Sequence, residues 1–165
     1  MPTETTPSLV RLYERCARFP LGKTLFSRMV SFRAPYFGSI RPRITQLSAS
    51  RSEVLVRKRR RVTNHIGTVH ALAMGNACEM AAGTLTEAAT PRTARWIPRG
   101  MTIEYRAKAT TDVRAIAWLD EPIRNDAAYD VIVPVDVLDR NDQVVVHAKI
   151  SMYISPKPPK TASKT

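Results

Sequence analysis

Asn64, Gly67, His70 and Glu79 form the pattern N-x2-G-x2-H-A-x7-E, whose residue types and spacing suit chemistry on an acyl group. A helix is predicted from Thr68 to about Leu85, so Gly67 and His70 stand where the chain turns into it. Unpaired backbone N–H groups and the positive end of the helix dipole lie at such a start and can polarise a carbonyl oxygen. Glu79, roughly two turns further on, can hold or deprotonate a water. It is the one acidic residue of the helix before Glu87, among Val69, Ala71, Leu72, Ala73, Met74, Ala77, Met80, Ala81 and Ala82. An ionised, unpaired carboxylate there would cost several kcal/mol. Glu79 therefore needs a partner, a raised pKa or a task, and the plain alternative is an inert, hydrogen-bonded Glu at a wet dimer seam.

The elements around this stretch follow from patterning. Ser8 is a candidate cap for a helix with Leu9, Leu12, Tyr13, Cys16 and Phe19 at helical spacing, and Leu21–Phe32 resumes an amphipathic pattern after Pro20. Ile40–Ser48 and Glu53–Arg59 read as strands, the first an edge because of Pro42. After the helix, Met101–Tyr105, Val113–Leu119, Val131–Val137 and Val144–Ile154 alternate apolar and polar residues, with a hairpin turn at Arg140-Asn141-Asp142. One helix apolar on every side, followed by a run of strands, implies an α+β domain whose antiparallel sheet curls around that helix. The expected organisation is a helical arm over 1–36, a main domain over 37–156 and a polar tail over 157–165, with Met1–Pro7 frayed. Because one curled sheet does not cover an all-apolar helix, a second copy of the chain is expected against it.

The motif resembles that of the hotdog-fold thioesterases, especially the phenylacetate-pathway (PaaI-like) group and the related DUF4442-type hotdog proteins. They carry Asn, Gly and His at these spacings, then a helix with Asp or Glu nine residues after the His. Gly100–Leu119 is similar to the family's two strands after the helix, and the resemblance spans roughly Ile40 to Ser155. It implies a hotdog fold, a homodimer or a dimer of dimers with sites built from both subunits, and hydrolysis of an acyl thioester of coenzyme A or an acyl carrier. It also implies Glu79 as general base, or as nucleophile, Asn64 and His70 as positioning residues, and Gly67 and Ala71 acting through backbone. The family has glycine after the histidine; here Ala71 and Leu72 follow, which keeps the amide and narrows the approach. A non-catalytic acyl-binding module is the alternative. A hotdog dehydratase fits less well, since its H-F-P-G-type stretch is missing.

The chain has 165 residues and a formal charge of +12. Such an excess attracts anions of every kind, from nucleic acid to anionic membrane to phosphate-bearing small molecules. The run Arg57-Lys58-Arg59-Arg60-Arg61 is either a phosphate clamp for coenzyme A, with Arg57, Arg59, Arg60 and Arg61 as its cations, or a solvated edge that resists strand pairing. Nucleic-acid binding ranks last, because no aromatic residues interleave with this run and no helix-turn-helix, zinc-finger or RRM pattern occurs. The basic amphipathic arm reads as a helical appendage on the domain, with a presequence or a peripheral membrane helix as alternatives. His65, His70 and His147 are too scattered for zinc, and no cofactor is implied. Cys16 and Cys78 lack metal-ligand spacing and read as reduced thiols, and no apolar run suggests a signal or a membrane span. A cytoplasmic protein is the expectation.

Overall fold

In chain order the elements are α1 (Ser8–Ala17), α2 (Gly22–Arg33), a 3-10 turn (Pro35–Ile40), β1 (Arg43–Leu47), β2 (Arg51–Val56), a second 3-10 turn (Arg60–Val62) and α3 (Ala71–Ala89), followed by β3 (Ala94–Tyr105), β4 (Val113–Trp118), β5 (Tyr129–Leu138) and β6 (Val144–Pro156). This computed structural model describes residues 7–158, so most of the two polar ends named above lies outside the described residues. Among the described residues no helix is long and apolar enough to cross a membrane.

The six strands make one antiparallel sheet in the order β1-β2-β4-β5-β6-β3. Its inner face follows from alternation. Val133, Val135 and Val137 of β5, with Val146, Ala148, Ile150, Met152 and Ile154 of β6, are almost wholly buried. They close over α3, whose Ala77, Cys78, Met80, Ala81, Ala82 and Leu85 are equally enclosed. Burying one leucine-sized side chain contributes roughly 1.5–3 kcal/mol, so this interface dominates the stability of the domain. A buried polar contact between β2 and the helix is satisfied, Ser52 Oγ and Thr84 Oγ1 lying 2.9 Å apart. A central helix held in a curled antiparallel sheet is the hotdog fold.

Several boundaries differ from the sequence expectation for identifiable reasons. Helix α3 begins at Ala71 rather than Thr68, because an antiparallel bridge pairs Thr63 with Val69 and His70 is still extended (φ −65°, ψ 140°). The first helix is entered from Pro7, with Ser8 already helical and no side-chain cap. The segment from Pro35 to Ile40 is a 3-10 turn, and β1 is correspondingly shorter than Ile40–Ser48. Strand β2 stops at Val56, so the basic run lies in the following loop and turn and escapes the alternation a strand would impose. Strand β3 begins seven residues before Met101, and a register shift between Pro98 and Gly100 absorbs its proline.

The two sheet edges are treated differently. The arm covers β1: Ile44 N–H donates to Ser27 Oγ at 2.8 Å, and Thr45 O accepts from Tyr13 OH at 2.6 Å and Lys23 Nζ at 2.8 Å. Phe26 is fully buried there, edge-on to the Tyr13 ring at 5.2 Å. Strand β3, 12 residues long, has no neighbour on its outer side among the described residues. Ile97, Met101 and Tyr105 of that strand stay 59%, 44% and 50% exposed.

Candidate functional site

The start of α3 is built by the turn before it. Asn64 Oδ1 accepts from the N–H groups of Ile66 (3.2 Å) and Thr68 (3.1 Å), while Asn64 Nδ2 donates to Thr68 Oγ1 at 2.8 Å. Gly67 closes the turn at φ 76°, a conformation glycine adopts without penalty, and its N–H donates to Asn64 O at 3.1 Å. Both residues thus spend their polar groups on the loop. Their position is outside the cleft described below.

His70 caps the helix. Its Nδ1 accepts from Leu72 N–H at 3.1 Å, so that nitrogen is unprotonated and a neutral ring carries its proton on Nε2. His70 O accepts from Ala73 N–H and Met74 N–H at 3.0 and 3.1 Å. Of the helix's opening donors, Ala71 N–H alone has no acceptor among the described residues. The Ala71 carbonyl accepts from Tyr105 OH at 3.3 Å, which ties the helix start to the end of β3.

A cleft of about 180 Å³ opens beside this start, lined by Tyr36, Arg61, His70, Leu72 and Asn76 among others. Asn76 carries a signal that motif matching passes over, since it shows in the sequence only as a polar interruption of an apolar helix. It is 6% exposed, and its Nδ2 donates to Tyr36 O and Ser39 Oγ, each at 3.3 Å. The carbonyl of Tyr36 can only accept, which fixes the amide orientation and leaves Asn76 Oδ1 buried without a donor. Glu79 is half-buried in a neighbouring recess of about 220 Å³ with Ala34, Pro35, Tyr36 and Phe37. No hydrogen bond or ion pair engages its carboxylate among the described residues. His70 and Glu79 therefore line separate recesses that share Tyr36.

The basic run is anchored where Lys58 N–H donates to Asp112 Oδ1 at 2.9 Å. Arg61 reaches the His70 cleft, whereas Arg57 and Arg60 are exposed away from its lining. Arg59 is half-buried with Nε and Nη2 unpartnered. Desolvation, then Arg41, then Arg61 push its pKa below the usual guanidinium value. Crowded guanidinium groups without a carboxylate leave an anion wanting. Among the described residues no group of His, Cys, Asp and Glu is arranged to hold a metal ion.

The family model for DUF4442, a domain of unknown function, matches residues 22–154. The chain belongs to the DUF4442 family. Among solved structures this DUF4442 protein is similar to genomics APC5556, with 43% identity, 90% of this chain and 99% of that one covered, and a TM-score of 0.79. It shares its fold with PA5026 of Pseudomonas aeruginosa, a protein of unknown function named a probable thioesterase, at 19% identity, 84% and 97% coverage and TM-score 0.73. The thioesterase HI1161 of Haemophilus influenzae has the same fold at 9% identity, 77% and 87% coverage and TM-score 0.66. No curated protein gives a match. The fold of this DUF4442 chain is thus the hotdog fold, which these solved structures share.

Cys78 adjoins Glu79 in sequence but points into the core, and burial first, then the Asp136 charge, pushes its thiol up to about 12. At about pH 8 its thiolate fraction is on the order of one in ten thousand, which leaves it unsuited to nucleophilic work. Iodoacetamide should leave Cys78 unlabelled in the folded protein and label it after guanidinium unfolding. Rapid labelling in the fold, located by peptide mass, would contradict this placement.

Proposed function

We propose that this protein hydrolyses acyl thioesters, with coenzyme A as the carrier. The observation that carries the proposal is Glu79, a half-buried carboxylate that no described residue engages, on the same helix whose first N–H, at Ala71, is unclaimed among the described residues as well. Glu79 takes a proton from water, the hydroxide equivalent attacks the thioester carbon, and Ala71 N–H stabilises the developing oxyanion. The tetrahedral adduct collapses with cleavage of the C–S bond, the sulfur leaving as a thiol once it gains the proton. Names of fold relatives such as HI1161 agree with this chemistry class.

Ala71 and Glu79 are eight residues apart, roughly 12 Å along the axis, too far to meet at one carbonyl within a single chain. A dimer supplies the solution when the helix start of one subunit faces Glu79 of its partner. Support for a second copy comes from the uncovered β3 edge, with Ile97, Met101 and Tyr105 exposed, and from Leu72 of α3, 69% exposed. The carrier would enter past Arg61 and Arg59, whose unpartnered guanidinium donors suit its phosphates.

Acyl binding without turnover is the second reading, favoured by Leu72 crowding the helix start and by the full engagement of Asn64 in its turn. A panel of acyl-coenzyme A esters, from short to long, assayed for thiol release separates the two. Glu79→Gln should lower kcat at least roughly 100-fold, about 2.7 kcal/mol of barrier, with substrate binding nearly kept. A fully active Glu79→Gln would refute the mechanism, and a parent that binds these esters and turns none over would favour the binding module. Arg59→Ser should raise KM for acyl-coenzyme A more than for a short thioester lacking the nucleotide, since a phosphate contact contributes binding uniformly. Equal effects on both substrates would return the basic run to a solvated loop.

A further inference from the structure

The helical arm carries an apolar surface that nothing among the described residues covers. Leu25, Met29 and Phe32 recur at helical spacing on one face of α2 and are 66%, 39% and 87% exposed, on the side away from buried Phe26 and Ser27. Phe19 and Leu21, 70% and 78% exposed, crown the turn between α1 and α2. That turn is rigidly drawn. Phe19 N–H donates to Cys16 O at 3.1 Å and Gly22 N–H to Phe19 O at 3.0 Å, and a Cβ on Gly22 would fall 1.7 Å from Cys16 O. Leu21 itself has φ 62°, a left-handed conformation that is unfavourable for a branched side chain. Backbone strain that holds a leucine in solvent is unexplained by the packing of this chain.

Charge says what should meet this surface. Between Ser8 and Arg33 stand six basic residues, Arg11, Arg15, Arg18, Lys23, Arg28 and Arg33, against the single acidic Glu14. Lys23 is occupied with Thr45 O, while the five arginines are exposed and enter none of the ion pairs of the described residues. By helical geometry Arg28 and Arg33 border the Leu25–Met29–Phe32 face on opposite sides. We propose that the arm is a docking surface for an anionic lipid bilayer. Phe19, Leu21, Leu25 and Phe32 enter the boundary between headgroups and acyl chains, while the arginines meet the headgroup anions. A second copy would bring the same basic excess against itself, and a nucleic acid would engage the arginines while leaving the leucines in water.

This inference stands apart from the proposed chemistry, although the two surfaces adjoin. The chain passes directly from Arg33 into Ala34–Phe37, which wall the recess of Glu79, so a docked arm holds that recess near the bilayer. Flotation of the full chain with phosphatidylcholine vesicles, with and without phosphatidylserine, tests the proposal. Binding should require phosphatidylserine and weaken as salt rises. The double variant Leu25→Ser/Phe32→Ser should bind at least about tenfold more weakly, with unchanged thermal unfolding and solution mass, because both side chains are exposed. Arg28→Glu/Arg33→Glu should lose the phosphatidylserine dependence. No flotation of the parent, or either variant floating like the parent, would overturn the proposal. So would a change of solution mass in the serine variant, which would make this face a contact between copies.

Discussion

The packing of a small-residue helix into a concave sheet is the constraint on which the molecule rests. Alanines and glycines along α3 keep it slim enough for the sheet to close over it. A Cβ on Gly75 would come within 3.2 Å of Ile103 Cδ1, and one on Gly83 within 3.4 Å of the Trp96 ring. Because β3 lies this near, its end can tie to the helix start through Tyr105 and Ala71. The burial that makes the helix immovable also fixes His70, Ala71, Asn76 and Glu79 relative to one another. Positioning of this kind is what a site needs when its chemistry relies on preorganised donors rather than on adaptable loops.

The same packing explains why polar groups on α3 stand out. Thr84 and Thr86 satisfy their hydroxyls on carbonyls one turn back, as threonines in buried helices do. Asn76 Oδ1, buried without a donor, and the Glu79 carboxylate have no such outlet among the described residues, and both residues line recesses that the 3-10 turn Pro35–Ile40 borders. Unmet polar groups beside a cleft are expensive features for a fold to keep without use.

Much of this was legible in the sequence because periodicity reports burial. The valine alternation of β5 and β6 placed two paired strands, and the apolar run of α3 placed the central helix. Boundaries were less visible, since they depend on contacts between distant residues. The Thr63–Val69 bridge delays the helix start, and the end of β2 frees the arginine run from the sheet. The motif residues were legible as a group, yet their division of labour was not. Asn64 and Gly67 share spacing with His70, but only the fold reveals that they shape the turn while His70 caps the helix. Asn76 escaped because a buried amide gains meaning from the carbonyl it touches and the lone pair it leaves over. Glu79 and Ala71 are neighbours on a helix diagram, and the length of two turns is what separates them.

That separation makes the central claim testable through subunit mixing. Proline fits the first position of a helix, and His70 already has the extended backbone that a following proline requires, so Ala71→Pro removes one N–H and leaves the helix start intact. Chains carrying Ala71→Pro are co-expressed with chains carrying Glu79→Gln, and mixed dimers are isolated by two affinity tags. If the helix start of one subunit works with Glu79 of the other, each mixed dimer holds one intact site. Thiol release should then return to about half the parent rate per dimer, although each variant alone is depressed on the order of 100-fold or more. Mixed dimers as inactive as the single variants would contradict a site shared between subunits.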